Sequence, residues 1–209
     1  MKKLVFATSA LFLACTAIPA HADTVSYLVS VNTASQSGQG GYIDLELNAS
    51  SFPSDDVVAT VSGFSGATLN PADPNNDAIG TTGSLPGVVT FDNQIGNDYF
   101  EGLTFGNDVS FLVTLSGPGV GTSGPGNDSG TAFQLSFLDP TMSSLLFSDE
   151  PNGMAALIEV AGDQAPEVLT PDTTTAATPA PTPEPATLSL VGLGGVLIGA
   201  ARRWRSRAA

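Results

Sequence analysis

The sequence predicts an all-β fold, an antiparallel β-sandwich of the jelly-roll type, and three observations lead to this prediction. Through the middle of the chain apolar residues alternate with polar ones, which is the period of a strand and not of a helix. The alternating segments are short, and clusters of Gly, Asn, Asp and Pro separate them. No long segment carries a convincing helical pattern. We therefore expect one β-sandwich over residues 23–162, about 140 residues, which is enough for a packed interior.

Nine segments of this domain are predicted strands. In the first, Val25, Tyr27, Val29 and Val31 share one face. In the second, three apolar residues alternate with three polar ones: Ile43, Leu45 and Leu47 against Asp44, Glu46 and Asn48. In chain order the segments read TVSYLVSV, GYIDLELNAS, VVATVSGF, GVVTFDN, YFEGLTFG, DVSFLVTLSG, TAFQLSFLD, SSLLFS and GMAALIEVAG. The last has some helical propensity, but its flanking glycines and its length favour a strand.

The N-terminus has the pattern of a secretory signal peptide over residues 1–22. Two lysines precede an uncharged apolar stretch. Ala20 and Ala22 then form the small-x-small pattern that signal peptidase cleaves, which places the cleavage before Asp23. We therefore expect the chain to be exported across the inner membrane.

The distribution of charge restricts the chemistry of the exported domain. The chain has 20 Asp and Glu against 6 Lys and Arg, a formal net charge of −14, and all six cations lie in the two terminal segments. The single His and the single Cys lie in the signal peptide, so the domain lacks the base of a nucleophilic triad and the usual ligands of zinc and haem. Repulsion excludes nucleic acid and anionic lipid as direct partners. Two-carboxylate glycoside hydrolysis and binding of a hard cation such as calcium remain.

Candidate calcium ligands lie in the segment NPADPNNDAIG. Asp73, Asn75 and Asp77 alternate as the oxygen ligands of a calcium loop do, but Ala78 stands where an EF-hand needs glycine and Ser84 where it needs glutamate. An EF-hand is therefore excluded, and a looser calcium site competes with a set of Asx turns. Three tyrosines are candidates for stacking on sugar rings, with packing in the core as the alternative: Tyr27, Tyr42 and Tyr99.

The composition changes after the domain. Residues 163–182 are rich in Pro, Thr and Ala with almost no large apolar residues, so we expect an extended linker that does not pack. Pro183, Glu184 and Pro185 follow, and the prolines favour extended backbone around the glutamate. The uncharged run 186–201 would reach about 24 Å as a helix, against a hydrocarbon core of about 30 Å, so it would span a bilayer only marginally.

A basic tail, residues 202–209, closes the chain and would hold its end on the inner side of the membrane. Its four cations are Arg202, Arg203, Arg205 and Arg207. A Pro-rich linker, Pro-Glu-Pro, a short apolar run and an arginine cluster, in this order, closely resemble the PEP-CTERM sorting signal of exported Gram-negative proteins. The resemblance covers residues 182–207. It implies that an exosortase, an integral-membrane processing enzyme, reads the Pro-Glu-Pro motif and removes the tail, so that residues 183–209 anchor the protein only transiently.

The domain also resembles an ectodomain that recurs in PEP-CTERM proteins. The stretches that carry this likeness are YLVSVNTASQSGQGGYIDLELN, NDYFEGLTFGNDVSFLVTLSG, SGTAFQLSFLD and EPNGMAALIEV. The resemblance implies export and a β fold, and it brings no catalytic residues with it. In that family the sorting signal tends to accompany exopolysaccharide production and biofilm or floc matrix.

Three functions remain open at this point. The first is a non-enzymatic surface or matrix protein, structural or adhesive, in an exopolysaccharide context. The second is a carbohydrate-binding module, assisted by calcium or not. The third is a two-carboxylate glycoside hydrolase, for which only the supply of carboxylates speaks.

Overall fold

The computed structural model describes residues 24–120, 130–148, 153–160, 166–169 and 175–179. Strands make up most of these ranges, and the only described helices are two short 3-10 turns, Ala34–Gln36 and Pro118–Val120. The all-β, antiparallel prediction is therefore confirmed. No helix among the described residues has the length and apolar character that crossing a bilayer requires. The predicted signal peptide and sorting tail lie outside the described residues.

Twelve described strands pair with one another, in antiparallel fashion throughout, as a single hydrogen-bonded sheet. The main path of the sheet runs β11-β10-β8-β2-β7-β3-β6-β5. Beside this path, β1 lies between β7 and β12, β4 pairs with β7, and β9 pairs with β8. The strands are β1 (Thr24–Asn32), β2 (Gly40–Ala49), β3 (Val58–Leu69), β4 (Asp77–Ile79), β5 (Thr81–Gly83), β6 (Val89–Asp92), β7 (Asp98–Ser116), β8 (Thr131–Leu138), β9 (Leu145–Leu146), β10 (Met154–Val160), β11 (Glu167–Leu169) and β12 (Thr175–Pro179).

Strand β7 is the longest of the described strands and pairs with four others, β1, β2, β3 and β4. The sequence predicted two strands here, separated near Gly106, whereas the structure has one strand of 19 residues. Its first half pairs with β2 and its second half with β1, while β3 follows its other edge over most of its length. Gly106 lies within this strand. Its lack of a side chain allows β3 to pass close by. A Cβ atom placed on Gly106 would lie 2.1 Å from the carbonyl oxygen of Gly66.

The core consists of the inward-facing residues of alternating strands. Phe91 of β6 and Phe133 of β8 are both buried, and their rings meet edge to face with centroids 5.9 Å apart. Three strands of the sheet path separate β6 from β8, so this contact requires the sheet to curve around its interior. Truncating such a buried ring to alanine typically destabilises a protein by about 3–5 kcal/mol.

Strands β11 and β12 lie within the segment that the sequence predicted to be an unpacked linker. Residues 175–179 pair with β1 from Tyr27↔Pro179 to Val31↔Thr175, and residues 167–169 pair with β10. The composition indicates extended backbone, and the described part of this segment is extended, but it pairs with neighbouring strands. The edges of β1 and β10 offer unpaired N–H and C=O groups, and an extended segment nearby satisfies them without needing an apolar side chain.

Candidate functional site

A polar cleft of about 370 Å³ opens where β2 begins, β3 ends and β7 passes between them. One wall is the loop after β3, and the turn after β8 contributes a proline to the rim. The lining residues are Gly40, Gly41, Tyr42, Thr68, Leu69, Asn70, Asp73, Leu103, Thr104 and Pro140. The lining therefore combines backbone, hydroxyl and amide groups with one carboxylate.

Asp73 is the centre of a hydrogen-bond network in this cleft. Its Oδ1 accepts from the backbone N–H of Asn75 at 3.0 Å and from Asn75 Nδ2 at 3.1 Å. Asn75 Nδ2 also donates to the hydroxyl of Tyr42 at 2.9 Å, and Asn70 Nδ2 donates to Asp73 Oδ2 at 3.3 Å. Gly102 makes room for this carboxylate, since a Cβ there would lie 3.1 Å from the Asp73 side chain. The structure thus joins two predicted calcium ligands to one predicted sugar-stacking tyrosine.

The side chain of Asp77 makes a separate contact. Its Oδ1 accepts from the backbone N–H of Ala78 at 2.8 Å, and its strand β4 pairs with β7 opposite Phe100. Asp73 and Asn75 form the turn-like contacts of the alternative interpretation. Among the described residues no group of three or more His, Cys, Asp or Glu side chains is arranged to hold a metal ion. Calcium binding at Asp73, Asn75 and Asp77 stays a prediction.

All three tyrosine rings are covered, those of Tyr27 and Tyr99 within the hydrophobic core and that of Tyr42 outside it. Tyr27, Tyr42 and Tyr99 are 5%, 6% and 3% exposed. The Tyr42 ring stacks on Phe100 with centroids 4.8 Å apart, and the Tyr27 hydroxyl donates to the carbonyl of Pro166 at 3.1 Å. Since a sugar needs an open ring face to stack on, these positions favour the packing alternative. Tyr42 is among the residues that line the cleft, and its hydroxyl group accepts from Asn75.

A second, smaller cleft of about 290 Å³ is lined in part by Glu101, a buried carboxyl group that the sequence analysis missed. Glu101 lies in the inward-facing row of β7, between Tyr99 and Leu103. The Tyr99 hydroxyl donates to Glu101 Oε2 and accepts from the backbone N–H of Leu85 at 2.9 Å. Burial, reinforced by the bond to Glu101, raises the pKa of Tyr99. The signal was present in the segment YFEGLTF, where strict alternation places the glutamate on the apolar face.

A cluster of three carboxyl groups lies on neighbouring strands, with Asp44 and Glu46 on β2 and Asp98 on β7. Burial raises the pKa of Asp44 to about 7, and the charges of Asp98 and Glu46 add to this effect. Burial also raises the pKa values of Glu46 and Asp98. Asp44 and Asp98 lie close enough to share a hydrogen bond, which adds to the rise in the pKa of Asp44 and opposes the rise in the pKa of Asp98. Their Oδ1 atoms are buried and accept no hydrogen bond from any described residue.

The predicted sorting and processing residues lie outside the described residues. These are the cleavage residues Ala20, Ala22 and Asp23, the motif Pro183, Glu184 and Pro185, and the arginines Arg202, Arg203, Arg205 and Arg207. A comparison with protein-family models covers the C-terminal motif and most of these arginines. Residues 181–206 match the model of the PEP-CTERM protein-sorting motif. No curated protein and no solved structure matches the chain. The chain therefore carries a PEP-CTERM sorting motif at residues 181–206, which supports an exported protein sorted by an exosortase.

Proposed function

We propose that this chain is a non-enzymatic protein of the cell surface or extracellular matrix, displayed after export and released from its membrane anchor by an exosortase. Its β domain serves a structural or adhesive role in an exopolysaccharide or biofilm context. The single observation that carries this proposal is the PEP-CTERM motif at residues 181–206, directly after the β domain. The run 186–201 acts as a transient anchor, with the arginine cluster retained on the inner side.

The chemistry of the described domain supports a role without catalysis. It has no Lys, Arg, His or Cys, so acid–base or nucleophilic chemistry rests on carboxylates alone. A retaining or inverting glycosidase needs two carboxyl groups facing each other across a cleft. The cleft at Asp73 has a single carboxylate in its lining, and that group is occupied by donors of its own loop. The smaller cleft is lined by two carboxyl groups, Asp77 and Glu101, but Glu101 is buried and accepts from the hydroxyl of Tyr99.

We infer that the sheet is folded into a two-layered sandwich of the jelly-roll type. The edge-to-face contact of Phe91 and Phe133, from strands far apart along the sheet, supports two facing layers. The two halves of β7 support it too, because they pair with different strands, β2 and β1. A sandwich suits display at a surface, since its ends are available for contact while its core stays closed.

The sorting proposal is tested at the C-terminus of the mature protein in the native host. Replacing Pro183, Glu184 and Pro185 by alanine removes the charge and loosens the extended backbone that an exosortase would bind. We expect this variant to be exported and to accumulate in the membrane with its tail intact, whereas the parent loses its tail. Asp172→Ala, which removes one carboxylate of the linker, is the control and should be processed like the parent. Mass spectrometry of the C-terminal peptide reads the result, and a parent that keeps its tail through Ala209 would refute processing.

A second candidate function, carbohydrate binding, is favoured by the cleft around Asp73. Carboxylate, amide and hydroxyl groups converge there beside the buried Tyr42, and such groups bind the hydroxyls of a neutral saccharide. A glycan array with and without calcium tests this candidate. We expect binding to be lost in Asp73→Asn and kept in Asp108→Asn, a control on an exposed carboxylate of β7. An array without a binding glycan leaves the structural role as the remaining function.

A further inference from the structure

We propose that one end of the β domain contacts the surface of a zwitterionic bilayer through Phe52, Ile79 and Ile95 while the tail is anchored. These three side chains are 62%, 54% and 51% exposed, and they are among seven large apolar side chains that the described residues expose by 44% or more. The inference rests on the proposed function in one respect, the membrane anchorage of the tail. It adds a partner, zwitterionic lipid, and identifies the surface of the β domain that contacts this lipid.

Four strands define this end of the domain, which we name the exit end. Thr24 of β1 is in register with Ser116 of β7, Ser116 with Val58 of β3, and Val58 with Asp92 of β6. The strands β1, β3, β6 and β7 therefore reach the same level there. Phe52 lies in the loop that leads into β3, and Ile95 lies in the loop that follows β6.

Side chains and close backbone contacts tie the three apolar segments together. Gln94, next to Ile95, donates from Nε2 to the carbonyl oxygen of Ser54 at 3.2 Å, which joins the loop after β6 to the loop before β3. The turn between β4 and β5 follows Ile79 and packs on the loop after β6. A Cβ atom on Gly80 would lie 2.4 Å from the carbonyl oxygen of Gly96. The three exposed residues are thus carried by segments held against one another.

The chain leaves the described domain at the same end. Thr24 is the first described residue, and β12 runs antiparallel to β1, with its last residue Pro179 opposite Tyr27. The backbone at Pro179 therefore points toward the exit end. The seven residues from there to the start of the apolar run span at most about 25 Å when fully extended. The connection between Pro179 and the apolar run is therefore short.

The negative charge near the exit end determines which kind of lipid surface it can contact. Asp55, Asp56 and Asp92 lie in or beside the same loops, and the domain has no cation to offset them, so an anionic lipid surface is repelled. A zwitterionic surface has no such penalty, and its interface accepts aromatic and aliphatic side chains. Single exposed apolar residues are common and weak, but an anchor raises their effective concentration at the membrane.

The test uses the full chain in nanodiscs of phosphatidylcholine with brominated acyl chains. Trp204→Phe first removes the only tryptophan of the chain. A tryptophan is then introduced by Phe52→Trp or by Ile95→Trp. Met142→Trp is the control, because Met142 is 44% exposed in the turn after β8, whose other end, Thr131, is hydrogen-bonded to the loop after β6. Circular dichroism checks that each variant keeps its β signature.

We expect the bromines to quench emission from positions 52 and 95 and to leave emission from position 142 unchanged. Unquenched emission from 52 and 95 in chains that co-purify with the discs would overturn the contact while leaving the anchor in place. Emission that is protected from an aqueous quencher but not quenched by bromine would indicate a protein partner, such as a second copy, and would overturn it too. A chain absent from the disc fraction would overturn the anchored tail itself, and this contact with it.

Discussion

Replacing Asp44 by Asn is expected to stabilise the domain at neutral pH and to have almost no effect at pH 4. Burial raises the pKa of Asp44 to about 7 from its ordinary value of 3.8, and the nearby carboxylates of Asp98 and Glu46 add to the shift. The unfolded chain has no such burial. Between about pH 4 and pH 7 the unfolded state therefore releases a proton that the folded state keeps, and folding stability falls as the pH rises through this window.

The size of the effect follows from the same two pKa values. At about 1.4 kcal/mol for each pKa unit, the difference between 3.8 and about 7 gives an upper limit of about 4 kcal/mol. Asp44 is partly exposed, so solvent screening reduces this limit, and we expect a gain of about 2 kcal/mol. An asparagine amide can still donate to Asp98, as the protonated Asp44 does. For a domain of this size such a gain corresponds to a rise in Tm of about 4–8 °C.

The assay is thermal unfolding of the full chain in a mild detergent, followed by circular dichroism at pH 4 and pH 7.5. Asp108→Asn is the matched control, since it removes one exposed carboxylate of β7 and relieves only the general repulsion. The reasoning predicts that Asp44→Asn exceeds this control at pH 7.5 and equals it at pH 4. A gain of the same size at both pH values, or a loss at pH 7.5, would refute it.

Three further outcomes are expected in the same assay. Tyr99→Phe should lower the free energy of unfolding by about 2–4 kcal/mol, because it leaves buried Glu101 without its hydroxyl donor, and Glu101→Gln should lower it less. Asn97→Ala should cost about 2–3 kcal/mol, because the Asn97 amide bonds both the N–H and the C=O of Leu47, at 2.7 and 2.6 Å. Sodium chloride should raise the Tm of the parent by screening the net charge of −14, and a flat response would show that the carboxylates are too dispersed to repel each other.

Most of the strands that the sequence predicted have periodic burial, although the predicted segments SSLLFS and GMAALIEVAG form strands β9 and β10 without it. Segments such as TAFQLSFLD alternate buried and half-buried residues along β8, because one face of the strand meets the core. Strands β4 and β5 have three residues each and no fully buried side chain, so no alternation of apolar residues marks them in the sequence. They exist because their backbones pair with β7 and β6. The break predicted near Gly106 failed for a related reason, since ladder pairing continues on both sides of it.

The candidate site was only partly readable from the sequence. The alternation of oxygen-bearing residues identified Asp73 and Asn75, since local spacing determines such turns. Their contact with Tyr42, about 30 positions earlier, depends on which strand lies beside which, and local patterns do not contain that information. The same holds for Asp44 and Asp98, whose proximity follows from the pairing of β2 with β7.

A domain without internal cations must satisfy its carboxyl groups with neutral donors or with protons, and the structure uses both. Asp73 receives amide donors from its own loop, and Glu101 receives the hydroxyl of Tyr99. Among the described residues, the side-chain partner of Asp44 is another carboxyl group, Asp98, so burial favours the protonated form of Asp44. Dissolved salt cannot replace that proton, because the two groups are in contact, well inside the Debye length of about 8 Å at physiological ionic strength. Salt should therefore leave the penalty at Asp44 in place, and Asp44→Asn should keep the response of the Tm to salt while losing the part of its response to pH between 4 and 7 that Asp44 supplies.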